Sequence, residues 1–177
     1  MLRHATRVVT ILAVAGCLAG CVDNIPDVAV SRGDVRQAIA RGALRSPRPA
    51  TMAFASSEGA PGDQASRFKA LFDKEAGDRE IAIVDPAAAH YLVRAYLSAA
   101  PGERGVDVAY VYDVFDADHR RVERVADTLT VPASGGDPWA AVDDRAMASL
   151  AGRSADDLAV ALAGTPEAQG GQVAAAR

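Results

Sequence analysis

The residues of this chain whose types could do chemistry are His90, His119 and a run of acids around the second histidine. In "YDVFDADHRR", Asp113, Asp116, Asp118 and His119 fall close together and could gather around a hard cation. A calcium loop of the EF-hand kind needs a glycine at its sixth place and a glutamate at its twelfth, and this stretch has neither. A turn joining two strands accounts for the acids more simply, because aspartate hydrogen-bonds its own backbone. His90 opens "HYLVRAYLSA", with Asp85 close in sequence. A serine hydrolase needs a nucleophile within reach of its histidine, and the elbow G-x-S-x-G is absent. There is also no H-x-x-x-H pair, phosphate loop or G-x-G-x-x-G. A small hydrolase, or a metal- or ligand-binding protein using His90 or the Asp113/Asp116/His119 cluster, stays open as the alternative. The expectation is no catalytic residue, no cofactor and no metal.

The two cysteines read differently. "LAVAGCLAGC" places Cys17 and Cys21 at the end of an uncharged run that follows "MLRHATR", which carries two arginines and no acid. A positive start, a short apolar run and small residues before a cut site make a secretory signal peptide. The run is too short for a membrane-spanning helix, which needs about 20 residues. "LAGC", Leu18 to Cys21, resembles the lipobox of bacterial lipoproteins. That resemblance implies a diacylglyceryl group on the Cys21 thiol, cleavage just before it, and acylation of the new amino terminus. "VAGC", ending at Cys17, also fits the pattern but leaves a shorter apolar core, so Cys17 is the alternative. Acylated at Cys21, the mature chain keeps no free thiol, which excludes thiol catalysis and a cysteine-based zinc site. Several acyl chains hold a protein to a bilayer durably, whereas one binds only marginally. The expected partners are therefore the membrane, through the lipid, and an envelope protein. The absence of aspartate after Cys21, where Val22 stands, leans toward the outer membrane by the same resemblance.

Length and charge narrow the classes further. The 177 residues carry a formal charge of −4, and loss of the signal would make the chain more acidic. One domain is expected at this length, and nucleic acid is a poor partner for it.

Residues 1–20 are thus read as signal, 21–50 as an acylated amino terminus and flexible tether, 51–164 as one periplasmic domain, and 165–177 as a disordered tail. "DVRQAIARGAL" is the one helical piece in the tether. Within the domain, "TMAFASS" predicts a short strand, and apolar residues from Ala65 to Ala76 recur at helical steps. "REIAIVD" predicts a strand over Ile81 to Val84. "HYLVRAYLSA" and "VDVAYVYDVF" alternate as half-buried strands, the second placing Tyr110 and Tyr112 on the core face. "RRVERVADTLTV" returns as a further strand, whose apolar phase slips between Val122 and Val125 and predicts a β-bulge. Asp137 and Pro138 start a long helix striped by Trp139, Val142, Leu150, Leu158 and Leu162, with Gly152 a weak point. The order β-α-β-β-β-β-α predicts an α+β (α/β sandwich) fold, a mixed, largely antiparallel sheet of about five strands with helices packed on it.

"SSEGAP", "HYLVRAYLSA", "VAYVYDVFDADHRR" and "DPWAAV…ASLAGRSADDLA" resemble, in that order, a group of uncharacterised alphaproteobacterial lipoproteins. The layout is more distantly similar to periplasmic domains of the curli-secretion lipoprotein, the lipoprotein activators of penicillin-binding proteins, and the amino-terminal domain of the Tol periplasmic protein. That likeness implies a scaffold for protein contacts without catalysis.

Overall fold

Alternation of large apolar residues with polar or small ones makes the centre of this fold a sheet with one dry face. In the computed structural model, which describes residues 34–133 and 135–170, strand β3 (Gly105–Phe115) buries Val106, Val108, Tyr110, Tyr112 and Val114 on that face. β2 (Tyr91–Gly102) buries Tyr91, Val93, Ala95 and Leu97 beside them. The sheet has four strands in the order β1-β2-β3-β4, with β1 (Met52–Glu58) parallel to β2 and β4 (Arg121–Val131) antiparallel to β3. A parallel pair needs a crossover, and helix α2 (Gly62–Asp78) supplies it. Gly59 opens that crossover at φ +95°, where an added Cβ would stand 2.0 Å from the Leu97 carbonyl oxygen. Only glycine fits there.

α2 and α3 (Asp144–Ala163) pack on the same face of the sheet and on each other. Phe72 of α2 meets Phe54 and Tyr112 of the sheet ring against ring, and stacks on Phe68 of its own helix. α3 adds Met147, Leu150, Leu158 and Leu162, all fully buried. Its small residues Ala151, Ala155 and Ala159 are also wholly buried, which allows close approach of the neighbouring elements. The α+β class and the helix-covered mixed sheet are as expected.

Four details differ from expectation. The predicted fifth strand, Ile81 to Val84, makes one isolated parallel bridge, Met52 to Ile83, with hydrogen bonds Met52 N to Ala82 O and Val84 N to Met52 O, both 2.9 Å. Glu80 turns at φ +59° just before it, and Pro86 opens a 3₁₀ turn (Pro86–Ala88) just after it. The segment between is too short to extend a ladder.

The last helix begins twice. Asp137 caps a 3₁₀ turn (Pro138–Ala141) by accepting from Trp139 N, and Asp143 then caps α3 by accepting from Ala146 N at 2.8 Å. Gly152 does not interrupt α3.

The expected tether, which runs to residue 50, holds part of the core: α1 (Val35–Ala40) buries Val35 and Ala38, and Ala50 is fully buried. Arg36 also pairs with Asp78 at 3.0 Å. At the other end, Ala168 is buried and Glu167 bonds to Tyr91 within the expected tail. The bulge falls where the phase slip placed it: Val114 faces Glu123 and Phe115 faces Arg121, so Val122 has no partner.

Candidate functional site

Each residue singled out for chemistry has a structural partner. His90 stands exposed at the start of β2, its Nδ1 2.8 Å from Thr51 Oγ1, and its backbone N–H donates to Thr51 O. Asp85 caps the following 3₁₀ turn by accepting from Ala87 N. Asp116 accepts from the backbone N–H groups of Asp118 and Arg120, both at 2.9 Å, and from the Arg120 side chain. Those bonds, the Arg120 backbone N–H first, hold its carboxyl below the usual range. His119 takes the left-handed position of the same turn, at φ +58°. Asp113 sits one strand row away, nearly buried, against Arg121 and Arg124. Among the described residues no group of three His, Cys, Asp or Glu side chains could hold a metal ion. Turn geometry and arginines take up the acids of the Asp113/Asp116/His119 cluster. Cys17 and Cys21 lie outside the described residues. No helix among the described residues is long and apolar enough to cross a membrane.

Among the described residues, two concavities beside the sheet stand out. One, of about 260 Å³, is an apolar groove between α2 and β1, lined by Phe54, Ala65, Phe68, Phe72 and Ala95 with Lys69 at its rim. The other, about 430 Å³, lies where β2 begins, beside the end of α3, and collects Tyr91, Asp116, Glu123 and Glu167. There the Tyr91 hydroxyl donates to Glu167 Oε2 at 2.5 Å. Burial first, and then the Glu167 carboxylate, push the Tyr91 pKa up to about 12. Burial also pushes Tyr112 upward, against the opposing hydrogen bond to Ser154.

A proton held more tightly folded than unfolded stabilises below the ordinary tyrosine value of about 10. The contribution is then lost as pH rises through the folded value. Urea melts between about pH 9 and 12 should show stability falling with pH, and Tyr91→Phe should flatten part of that fall. An unchanged slope in the variant would show that Tyr91 does not carry it.

The sheet face away from the helices carries a third arrangement. Register places Ser56, Arg94, Asp113 and Arg124 in one row across all four strands, with Leu92, Phe115 and Arg121 in the next row. The Ser56 hydroxyl oxygen is buried without a partner. Arg94 lays its guanidinium over the Phe115 ring, 5.0 Å from the centroid. Arg121 and Arg124 share Asp113 at 3.4 and 3.3 Å. On the other side of this row stand Tyr96, Val111 and Ala126, and beyond them Ser98, Ala109 and Thr128. Among the described residues no helix covers this face. Sequence reading isolates Asp113 but not its arginines. The signal is present in the alternation, which turns Arg94, Asp113 and Arg124 outward together, but only the register sets them side by side.

No protein-family model matches the chain, and no curated protein matches it. Among solved structures, the chain is similar to a dodecamer of a PelC point variant from Paraburkholderia phytofirmans, at 14% identity and a TM-score of 0.39. The match covers 63% of this chain and 90% of that one. A backbone likeness at this level assigns no activity, partner or location to the chain.

Proposed function

We infer that the chain is a non-enzymatic lipoprotein, anchored through Cys21 and facing the periplasm, whose α+β domain is a binding or assembly module for an envelope component. The observation that carries this reading is "LAGC" closing an uncharged run behind a positive start. The structural bonds of His90, Asp113 and Asp116 support a role without catalysis, since each of these groups is occupied in holding a turn or a strand. A sheet face with no helix over it among the described residues supports a binding role. Acyl chains on Cys21 would hold the module at a membrane without a spanning helix, and the outer membrane is the proposed location.

The test is the intact mass of the amino-terminal peptide from the membrane fraction, for wild type, Cys21→Ala and Cys17→Ala. The expected result is an acylated peptide beginning at Cys21, lost in Cys21→Ala and kept in Cys17→Ala. A peptide beginning at Cys17 would move the anchor to that residue. An unmodified chain in the soluble fraction would overturn the anchored reading.

A further inference from the structure

The arginines of the open sheet face carry more positive charge than the fold uses. Arg121 and Arg124 share one carboxylate, that of Asp113, through contacts of 3.4 and 3.3 Å. Among the described residues no ion pair joins Arg94 to an acid; the Phe115 ring holds it instead. Two guanidinium groups thus share one carboxylate and a third stands on the neighbouring strand in the same row, in a chain of formal charge −4. The Arg121 and Arg124 side chains are half exposed, at 50% and 53%, while the carboxylate they share is buried.

We propose that this face docks an acidic segment of a protein partner, with one of its carboxylates entering over β3 between Arg94 and Arg124. The proposal rests on the binding-module reading above. Its first ground is charge complementarity: a guanidinium presents a planar fork that matches a carboxylate, and two such forks flank the Asp113 position. Its second ground is the neighbouring row of Tyr96, Val111 and Ala126, which offers apolar surface a lone anion could not use. A chain alternating acids with apolar residues would cover both rows, and arginine and tyrosine are residues on which interfaces concentrate their binding energy. Stacking on Phe115 also orders Arg94 beforehand, which lowers the entropy lost on docking.

A broad anionic surface such as a lipid bilayer fits less well. Arg120 is tied to Asp116 and Asp118, and Asp107 stands elsewhere on the face, accepting from Thr130 Oγ1 at 2.7 Å. Glu58 is in register with Tyr96. Such a surface would meet these acids within a screening length of about 8 Å. A single carboxylate over the arginine row meets one acid, Asp113, which Arg121 and Arg124 already pair, and the flanking acids reject a partner placed out of register.

The test titrates the purified full chain with a labelled peptide alternating Glu and Val, the same peptide with Gln for Glu, polygalacturonate, and inorganic phosphate. The Glu peptide should bind, more weakly as salt rises; the Gln peptide at equal concentration, and polygalacturonate and phosphate at equal charge, should not compete. Arg94→Gln with Arg124→Gln should weaken binding about tenfold, and Arg48→Gln, remote from this face, should not. Among the described residues Arg94 forms no ion pair, so Arg94→Gln alone should keep the wild-type melt and still weaken binding, even if Arg124→Gln disturbs Asp113. Arg94→Lys should recover only part of the affinity, because it keeps charge and loses the fork.

Equal binding of the Gln peptide, or unchanged binding by Arg94→Gln, would overturn the proposal. So would polygalacturonate binding without the peptide, which would make the ligand an acidic polysaccharide. Photo-crosslinkers at Ala126, on this face, and at Lys74, on α2, separate this proposal from the broader reading in cells. Capture through Lys74 alone would leave a binding module and overturn this site; capture at neither would count against both.

Discussion

Arg79→Ala is expected to lower the stability of the fold by about 3–5 kcal/mol, read as a shift of the urea midpoint at constant slope. Arg79 follows the last turn of α2 and reaches into the seam with α3. Its Nε donates to Asp156 Oδ1 at 2.5 Å, and its Nη1 donates to Glu75 Oε2 at 2.7 Å and to Glu75 O at 2.9 Å. The Arg79 and Asp156 side chains are 7% and 5% exposed. Burial alone would lower the Arg79 pKa, but the bonds to Asp156 and Glu75 outweigh it and hold the group charged. Gly152 of α3 lies beside this cluster: a Cβ there would stand in ordinary contact, 3.8 Å from Glu75 Oε2 and 3.9 Å from Arg79 Nη2.

Alanine at 79 leaves the Asp156 carboxylate in the helix seam without its arginine, and that desolvated charge is the main cost. The double change Arg79→Met with Asp156→Leu should regain most of the loss, because apolar groups of similar volume replace a buried pair at little net cost. A single variant losing less than about 1 kcal/mol would mean that Asp156 keeps its charge by other bonds.

What is legible in the sequence follows the range of the interactions involved. β3 is readable because its alternation is local, and Tyr110 and Tyr112 fall in the core as their phase requires. The bulge at Val122 is readable for the same reason, a one-residue slip in a period of two. Caps are local as well, but "DPWAAVDD" holds two of them, and only the three-dimensional path separates the 3₁₀ turn at Asp137 from the helix at Asp143. Residues 34–50 look like a tether because their apolar residues are sparse. Val35 and Ala50 are buried by distant parts of the chain, which no local pattern reports. Arg79 and Asp156 lie 77 positions apart, and nothing near either one marks the pair. The arginine row is of the same kind, since it exists only once three strands are in register. Chemistry-bearing residues can be found by type, but their occupation by turns and arginines becomes visible only in the fold.

Phe72→Ala should be the most damaging change in the core, at about 3–5 kcal/mol. Phe72 is fully buried, with ring centroids 5.4 Å from Phe54, 5.8 Å from Phe68 and 6.2 Å from Tyr112. It is the point at which α2 grips both β1 and β3. Its removal deletes one aromatic side chain and leaves three others facing a void. That void opens onto the groove of about 260 Å³ beside Phe54 and Phe68, so water can enter it. Entry of water reduces the penalty for an empty cavity but wets the remaining rings, and the transfer cost of the lost burial stays. Against a total stability of about 5–15 kcal/mol, a fold carrying Phe72→Ala would stand near its unfolding threshold.

Phe72→Leu keeps most of the volume and should cost less than about 1.5 kcal/mol if neighbouring side chains repack. The two variants together separate packing from polarity, as both remain apolar. The contrast with Arg94→Gln is the informative one: the aromatic change should move the melting midpoint, and the arginine change should leave it in place while weakening peptide binding. If Phe72→Ala instead melts as the wild type does, α2 is not docked on the sheet through its aromatic cluster, and it must be held through α3, by Arg79–Asp156 and the seam around it.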